Sequence, residues 1–232
     1  MEEGSVNPTR RSILIEVVLV YLGTLLAIKG VVFAQRAVGL PRDVLILVPL
    51  LFIYVPLLWL RRIKEDPGDY GLVLEKVGAA LRFDIILYLI IFPPFILFNH
   101  VYQDLLFNRQ PQWILPDNLL MDVVLYHLVY VALPEEFFYR GYMQSRLDLV
   151  FPRTRTVFGI PLGWGFLITV VLFTVGHTIV QFRWWHFAIA FPALLFGWIR
   201  YRTGNVVAST FFHAACNITM ALLDTMYGAR AP

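Results

Sequence analysis

Long apolar runs, separated by short polar segments, are the feature that most constrains what this chain can fold into. Charged residues make up only 15% of the 232 residues and hydrophobic residues 59%, whereas a soluble domain carries about 25% charged residues. The mean hydropathy is +0.68. A surface in contact with water needs more charge than this, so the pattern excludes a disordered, a fibrous and a soluble globular protein. The sequence predicts an all-α, polytopic membrane protein, a helical bundle whose solvent is the lipid bilayer.

About seven transmembrane helices fit these runs, because one crossing takes about 20 apolar residues. We expect them to form a single membrane-embedded domain over residues 1–232. Pro49 and Pro56 shorten or break the second helix, and Pro93 and Pro94 do the same to the third. The predicted helices are Ile13–Gln35, Val44–Leu60, Phe83–Phe98, Leu119–Leu147, Val157–Ile179, Trp185–Tyr201 and Val206–Tyr227.

The basic residues of a membrane protein report its topology, so we do not expect a nucleic-acid partner. Most of the Lys and Arg residues between the predicted helices fall on one side of the bundle, which is the cytoplasmic side under the positive-inside rule. We therefore predict an integral, multi-pass membrane protein with a cytoplasmic N-terminus, which in a prokaryote would lie in the plasma or inner membrane. The first apolar run has no small-residue cleavage site and is expected to stay as a helix. Trp184, Trp185 and His186 fit an aromatic belt at the membrane interface. The one cysteine, Cys216, excludes an internal disulfide.

The fourth predicted helix carries three charged residues, Glu135, Glu136 and Arg140. A charge near the middle of a bilayer costs on the order of 2.5–3.5 kcal/mol, so such residues are candidates for function. Glu136 and Arg140 are four apart and share a helix face, where Arg140 can bind the carboxylate through two parallel hydrogen bonds. A salt bridge that only fixes helix packing explains this pair equally well. It does not explain Glu135, which points about 100° away around the helix. Pro134, just before the pair, is expected to loosen or kink the helix.

Two later helices carry further polar residues. His177 lies late in the fifth helix, and His213 and Asn217 are four apart on one face of the seventh. A lone histidine in an apolar helix is usually a hydrogen-bonded packing residue. Packing alone is a weaker explanation for two histidines, an asparagine and an unpaired glutamate on three helices of one small bundle. The depths of these residues along their helices differ, and tilts or kinks would bring them together.

This set of residues contains the parts of a hydrolase. A glutamate in apolar surroundings suits a general acid or base, and beside a histidine it can hold and deprotonate a water molecule. His213 and Asn217 can donate hydrogen bonds to a developing oxyanion. The same residue types can bind zinc, although the sequence has no His-Glu-x-x-His motif. They can also form an ion or proton relay, but the chain lacks the repeated halves typical of transporters.

Three short motifs occur in order along the second half of the chain: Glu-Glu-x-x-x-Arg at Glu135–Arg140, Phe-x-x-x-His at Phe173–His177 and His-x-x-x-Asn at His213–Asn217. Together they resemble the CAAX-protease and bacteriocin-processing family (CPBP, or Abi), which includes the Rce1-like prenyl-protein endopeptidases. The resemblance covers about Leu119–Tyr227, and residues 119–227 would then be the catalytic core.

The resemblance implies a glutamate-dependent intramembrane endopeptidase that acts on a membrane-associated or lipidated peptide, of CAAX type or with a C-terminal sorting tail. It implies that Glu135 activates water with His177, that His213 and Asn217 bind the oxyanion, and that Glu136 and Arg140 support the site. No cofactor is expected, with Zn²⁺ as the alternative because the family was once described as metalloproteases. The alternative function is a non-catalytic membrane partner such as a bacteriocin-immunity factor.

Overall fold

The computed structural model describes residues 9–73 and 77–228, and within these ranges the backbone is almost entirely helical. The polar segment before residue 9, which the sequence places at the cytoplasmic face, lies outside the described residues. Seven helices follow one another, as the apolar runs predict. They are α1 (Arg10–Ala37), α2 (Leu47–Ile63), α3 (Val77–Phe107), α4 (residues 119–150), α5 (Trp164–Val180), α6 (Ala190–Thr203) and α7 (Val206–Met226).

Within the described residues, four helical segments are long and apolar enough to cross a membrane by length and composition. They are α1, α3, α7 and the segment Arg42–Ile63, in which a 3₁₀ turn precedes α2. Helix α5 is apolar but shorter. Leucine, isoleucine and phenylalanine side chains are exposed along α1 and α3, as expected of helices whose outer faces contact lipid. These observations confirm an all-α membrane helical bundle.

Helix α4 runs through Pro134 but changes its winding there. Pro134 lies in a single ordinary α turn, and the stretches on both sides of that turn have the wider turns of a π-helix. The amide of Leu133 accordingly donates to the carbonyl of Leu128, five residues back. Pro134 has no amide to donate, so it interrupts the hydrogen-bond ladder without ending the helix. The segments of α4 are Leu119–Ala132, Leu133–Glu136, Phe137–Met143 and Gln144–Val150.

Helix α3 is longer than predicted, because it passes through Pro93–Pro94 without a break. Both prolines lie on an exposed face of the helix. The neighbouring α7 holds α3 on either side of them: the Tyr88 and Thr219 hydroxyls share a hydrogen bond of 3.0 Å, and His100 Nδ1 and the Tyr227 hydroxyl share one of 2.7 Å. These tertiary contacts keep the helix continuous where two backbone donors are missing.

A β-hairpin replaces the beginning of the predicted helix Val157–Ile179. Strands β1 (Arg155–Val157) and β2 (Ile160–Leu162) pair antiparallel, with Val157 opposite Ile160. The turn between them is Phe158–Gly159, whose φ angles are 50° and 75°. Two positive φ angles are typical of the type I′ turn in short hairpins, and no helix can contain them. Helix α5 therefore starts only after the hairpin.

A buried network of charges joins α1, α2 and α4 at one end of the bundle. Arg146 on α4 donates to the Glu16 carboxylate at 2.5 Å and to the Glu65 carboxylate at 2.8 Å. The hydroxyls of Tyr142 and Tyr70 donate to Glu16 and Glu65 respectively. Burial and the Glu65 hydrogen bond raise the pKa of Tyr70, which lies in the turn after α2. Because Arg146 is 1% exposed, this network fixes the position of α4, the helix that carries the two neighbouring glutamates.

Candidate active site

Glu135 and His177 face each other at a cleft between α1, α2, α4 and α5. Glu135 Oε2 and His177 Nε2 are 3.7 Å apart, and the two side chains are 15% and 28% exposed. The cleft has a volume of about 180 Å³. Most of its wall is apolar. The other residues that line it are Leu25, Ile28, Val48, Phe52, Tyr139, Gly176, Val180, Gln181 and His186.

The orientation of His177 follows from its own helix. His177 Nδ1 lies 2.9 Å from the carbonyl oxygen of Phe173, one turn earlier in α5. A carbonyl oxygen only accepts hydrogen bonds, so Nδ1 must carry the proton. In the neutral imidazole the other nitrogen, Nε2, is therefore an acceptor that faces Glu135. Because the Glu135 carboxylate also accepts, the two groups can share one water molecule as acceptors.

A second cluster of charges lies deeper, next to the first. Arg140 donates to Glu136 Oε1 at 2.8 Å, and His213 Nδ1 lies 2.9 Å from the same oxygen. The other terminal nitrogen of Arg140 donates to the carbonyl oxygen of Ala193 at 3.2 Å. The predicted pairing of Glu136 with Arg140 is therefore present. The prediction of two parallel hydrogen bonds is wrong. One terminal nitrogen of Arg140 donates to a carbonyl oxygen of α6 instead, and His213 on α7 is the second partner of the Glu136 carboxylate.

Aromatic rings surround this buried cluster. The Arg140 guanidinium lies 4.2 Å from the centroid of the Phe173 ring and 5.1 Å from that of Phe196. The His213 ring stacks on Phe196, with centroids 4.5 Å apart and planes 16° from parallel. The Phe173 ring lies 4.6 Å from the ring of His177 and 6.0 Å from that of His213. Phe173 thus contacts the histidines of both clusters, and its cation–π contact helps to keep Arg140 in place.

Five of the six residues singled out in the sequence therefore fall into two neighbouring groups. Glu135 and His177 line the cleft, whereas Glu136, Arg140 and His213 form the buried cluster. Asn217 is half-buried one turn after His213 on α7, and its side chain makes no hydrogen bond to another residue within 9–73 or 77–228. His213 is close enough to Glu135 for an electrostatic interaction, which places α7 beside the cleft residues.

Two residues of the cleft were not predicted as part of the site. His186, expected in an aromatic belt, lines the cleft, and its ring centroid is 6.1 Å from that of His177. Tyr139 lines the same cleft from α4. Its position four residues after Glu135, on the same helix face, was the signal available in the sequence.

The ligand set that zinc would need is not assembled in the part of the chain that the structure describes. Within those residues no group of three or more His, Cys, Asp or Glu side chains is placed to hold a metal ion. A catalytic zinc site uses three such ligands around one point. The zinc alternative stays a prediction, and the mechanism proposed for the cleft uses side chains and water alone.

Comparison with known protein families gives a match within the second half of the chain. Residues 117–219 match the family model described as type II CAAX prenyl endopeptidase Rce1-like. The matched range contains all three motifs and thus both clusters, from Glu135 to Asn217. Searches of curated proteins and of solved structures gave no match. Residues 117–219 are therefore similar to the Rce1-like family of type II CAAX prenyl endopeptidases, in agreement with the resemblance of the three motifs.

Proposed function

We propose that this protein is a glutamate-dependent intramembrane endopeptidase that hydrolyses a peptide bond in a membrane-associated or lipidated peptide. The observation that carries the proposal is the facing pair of Glu135 and His177. Their oxygen and nitrogen are 3.7 Å apart, too far for a direct hydrogen bond. A water molecule can bridge two polar groups that are too far apart to bond directly, and the cleft would give that water access to a substrate.

Glu135 is the general base in this scheme. A water molecule donates one hydrogen to the Glu135 carboxylate and the other to Nε2 of neutral His177. As the proton moves to Glu135, the water oxygen attacks the scissile carbonyl carbon. The tetrahedral intermediate then collapses, the C–N bond breaks, and the proton on Glu135 passes to the leaving nitrogen. The products are a carboxylic acid and an amine, and Glu135 is ionised again.

His213 and Asn217 are the proposed oxyanion donors. Glu136 binds His213 through Nδ1, which leaves Nε2 for another partner. The proposal requires a hydrogen on Nε2, because only an N–H group can donate to the oxyanion. The Asn217 amide, one turn later on α7, supplies a second donor. Glu136 and Arg140 support the site by holding His213 and, through Phe173, His177.

The wall of the cleft supports an apolar substrate. Leu25, Ile28 and Phe52 lie across from Glu135 and His177. Apolar walls with a few polar groups are typical of sites that bind largely apolar ligands. We therefore propose a substrate whose residues near the scissile bond are apolar or lipidated, such as a CAAX-type C-terminus or a membrane-sorting tail.

The test compares the wild-type chain with Glu135→Gln in liposomes that contain a farnesylated CAAX-type peptide. The amide keeps the size of the side chain but cannot take the proton, so cleavage should be lost while the protein stays folded. Asp122→Asn is the matched control, because it makes the same chemical change at an exposed position of the same helix. Peptide termini in host membranes with wild type or Glu135→Gln, read by mass spectrometry, extend the test to natural substrates. Cleavage by Glu135→Gln at the wild-type rate would overturn the proposal, and the absence of any wild-type-dependent terminus would favour a non-catalytic membrane partner.

A further inference from the structure

The water molecule proposed between Glu135 and His177 finds no hydrogen-bond donor in that pair. A water molecule donates two hydrogen bonds and accepts two. In the proposed reaction both hydrogens go to acceptors, the Glu135 carboxylate and His177 Nε2. One lone pair must point at the scissile carbon. The other lone pair needs a donor, which neither Glu135 nor neutral His177 can supply, and without it the attacking lone pair has no fixed direction.

Tyr139 offers such a donor in the same cleft. It follows Glu135 by one turn of α4, and both side chains line the cleft together with His177. The Tyr139 side chain is 1% exposed, and its hydroxyl makes no hydrogen bond to another residue within the described ranges. A buried phenol normally has a partner. The hydroxyls of Tyr21 and Tyr142, which pack nearby, are by contrast used by the Leu172 carbonyl and by Glu16.

Gly176 shows where the Tyr139 hydroxyl lies. A Cβ added to Gly176 would be 2.5 Å from the Tyr139 hydroxyl oxygen. Gly176 directly precedes His177 in α5. The hydroxyl therefore sits against the backbone of the turn that carries His177, and a glycine at this position is what gives it room. The ring itself is fixed by edge-on contacts with Phe173 and Phe138, at centroid distances of 4.9 and 5.0 Å.

From this arrangement we infer that the Tyr139 hydroxyl donates a hydrogen bond to the nucleophilic water and aims its free lone pair at the substrate. The inference rests on the proposed function and adds a third catalytic residue to Glu135 and His177. No proton is transferred from Tyr139, because the phenol only orients the water while Glu135 takes the proton. The overall hydrolysis is unchanged, because the proton taken from water still passes through Glu135 to the leaving nitrogen.

The experiment compares Tyr139→Phe with wild type by two measurements. Phenylalanine keeps the ring and its packing, so the variant should fold. With the farnesylated peptide in liposomes, we expect kcat to fall roughly 10²-fold, the size of effect seen when one catalytic hydrogen-bond donor is removed, with KM unchanged. The second measurement needs no cleavage: the ¹⁵N NMR signal of His177 Nε2, assigned with His177→Gln, reports the hydrogen bond it accepts from the water, and this signal should shift. Tyr54→Phe is the control, because Tyr54 is 55% exposed and outside the cleft.

Each outcome decides the inference separately from the proposed function. If wild type cleaves the peptide and Tyr139→Phe cleaves it equally well, the inference falls and the protease function stands. If wild type does not cleave the peptide, the proposed function fails for this substrate, and the NMR signal decides the inference. An unchanged His177 signal in Tyr139→Phe overturns it, whereas a shift that Tyr54→Phe lacks supports it.

Discussion

Two adjacent glutamates with different partners organise the site at the scale of single residues. Glu135 faces His177 at a cleft, whereas Glu136 is fully buried and shares one oxygen between Arg140 and His213. Consecutive residues of a helix point in different directions. One turn of α4 can therefore place Glu135 at the cleft and Glu136 in the buried cluster. The buried carboxylate relies on Arg140 and His213, since its other oxygen has no partner among the described residues.

Arg140→Ala should destabilise the protein by roughly 3 kcal/mol, because it leaves Glu136 buried with only His213 as a partner. The double variant Glu136→Gln/Arg140→Ala should recover part of this loss, since it leaves no carboxylate to neutralise. Thermal unfolding of the full chain in detergent measures both. Arg155→Ala, in the exposed hairpin, is the control. A double variant no more stable than Arg140→Ala would show that Arg140 acts through its aromatic contacts rather than through Glu136.

Residue spacing in the sequence was enough to predict the ion pair but not the whole site. The four-residue interval between Glu136 and Arg140 placed them on one face, and the structure pairs them. The contact of His213 with Glu136 depends on how α7 packs against α4, which no interval within one helix reveals. Tyr139 and His186 resemble ordinary aromatic residues of an apolar helix or an interface, so composition did not distinguish them.

At the scale of elements, apolar length predicted the number of helices but not their ends or winding. The apolar run that starts at Val157 is compatible with either a strand or a helix. The Phe158–Gly159 turn is the feature that makes this segment a hairpin. Pro134 predicted a loosened or kinked α4, but it did not predict that wide turns extend over Leu119–Ala132 and Phe137–Met143. The prolines predicted a break in α3, because sequence rules for a single helix do not include its contacts with other helices. In the structure, α7 and the adjoining Tyr227 form hydrogen bonds with α3 on both sides of the prolines.

Pro94→Ala should stabilise α3. The alanine restores a backbone amide that can donate to the carbonyl of Ile90, four residues earlier, and proline in a helix interior costs up to about 3 kcal/mol relative to alanine. The position is exposed, so the change disturbs no packed side chain. We expect a higher midpoint of thermal unfolding and unchanged cleavage, because α3 does not line the cleft. A lower midpoint would show that the packing of α3 against α7 requires the proline.

For the whole molecule, the buried network around Arg146 and the Glu135–His177 cleft occupy different levels of the bundle. Glu135 and Arg146 are both on α4, eleven residues and therefore roughly 15 Å apart along the helix axis. The network ties α4 to α1 and α2. The same two helices supply the apolar wall of the cleft through Leu25, Ile28 and Phe52. Ion pairs at one level therefore help to hold in place the helices that form the cleft wall at the other.

The orientation of this bundle in the membrane determines which substrates reach the cleft. The cleft is lined by residues at and after the end of α5, including Val180 and Gln181. Under the prediction of a cytoplasmic N-terminus and seven crossings, that end of α5 lies at the outer face and the β-hairpin at the cytoplasmic face. A cleft near the outer face would favour a translocated substrate over a cytosolic one.

Single cysteines in a Cys216→Ser background test this topology. Phe182→Cys and Phe158→Cys are a matched pair, because Phe182 follows α5 and is 74% exposed, while Phe158 at the hairpin turn is 89% exposed. We expect a membrane-impermeant maleimide to label the cysteine at position 182 in intact cells, and that at position 158 only after permeabilisation. The reverse pattern would place the N-terminus outside, contradict the positive-inside prediction and direct the search for substrates to the cytosol.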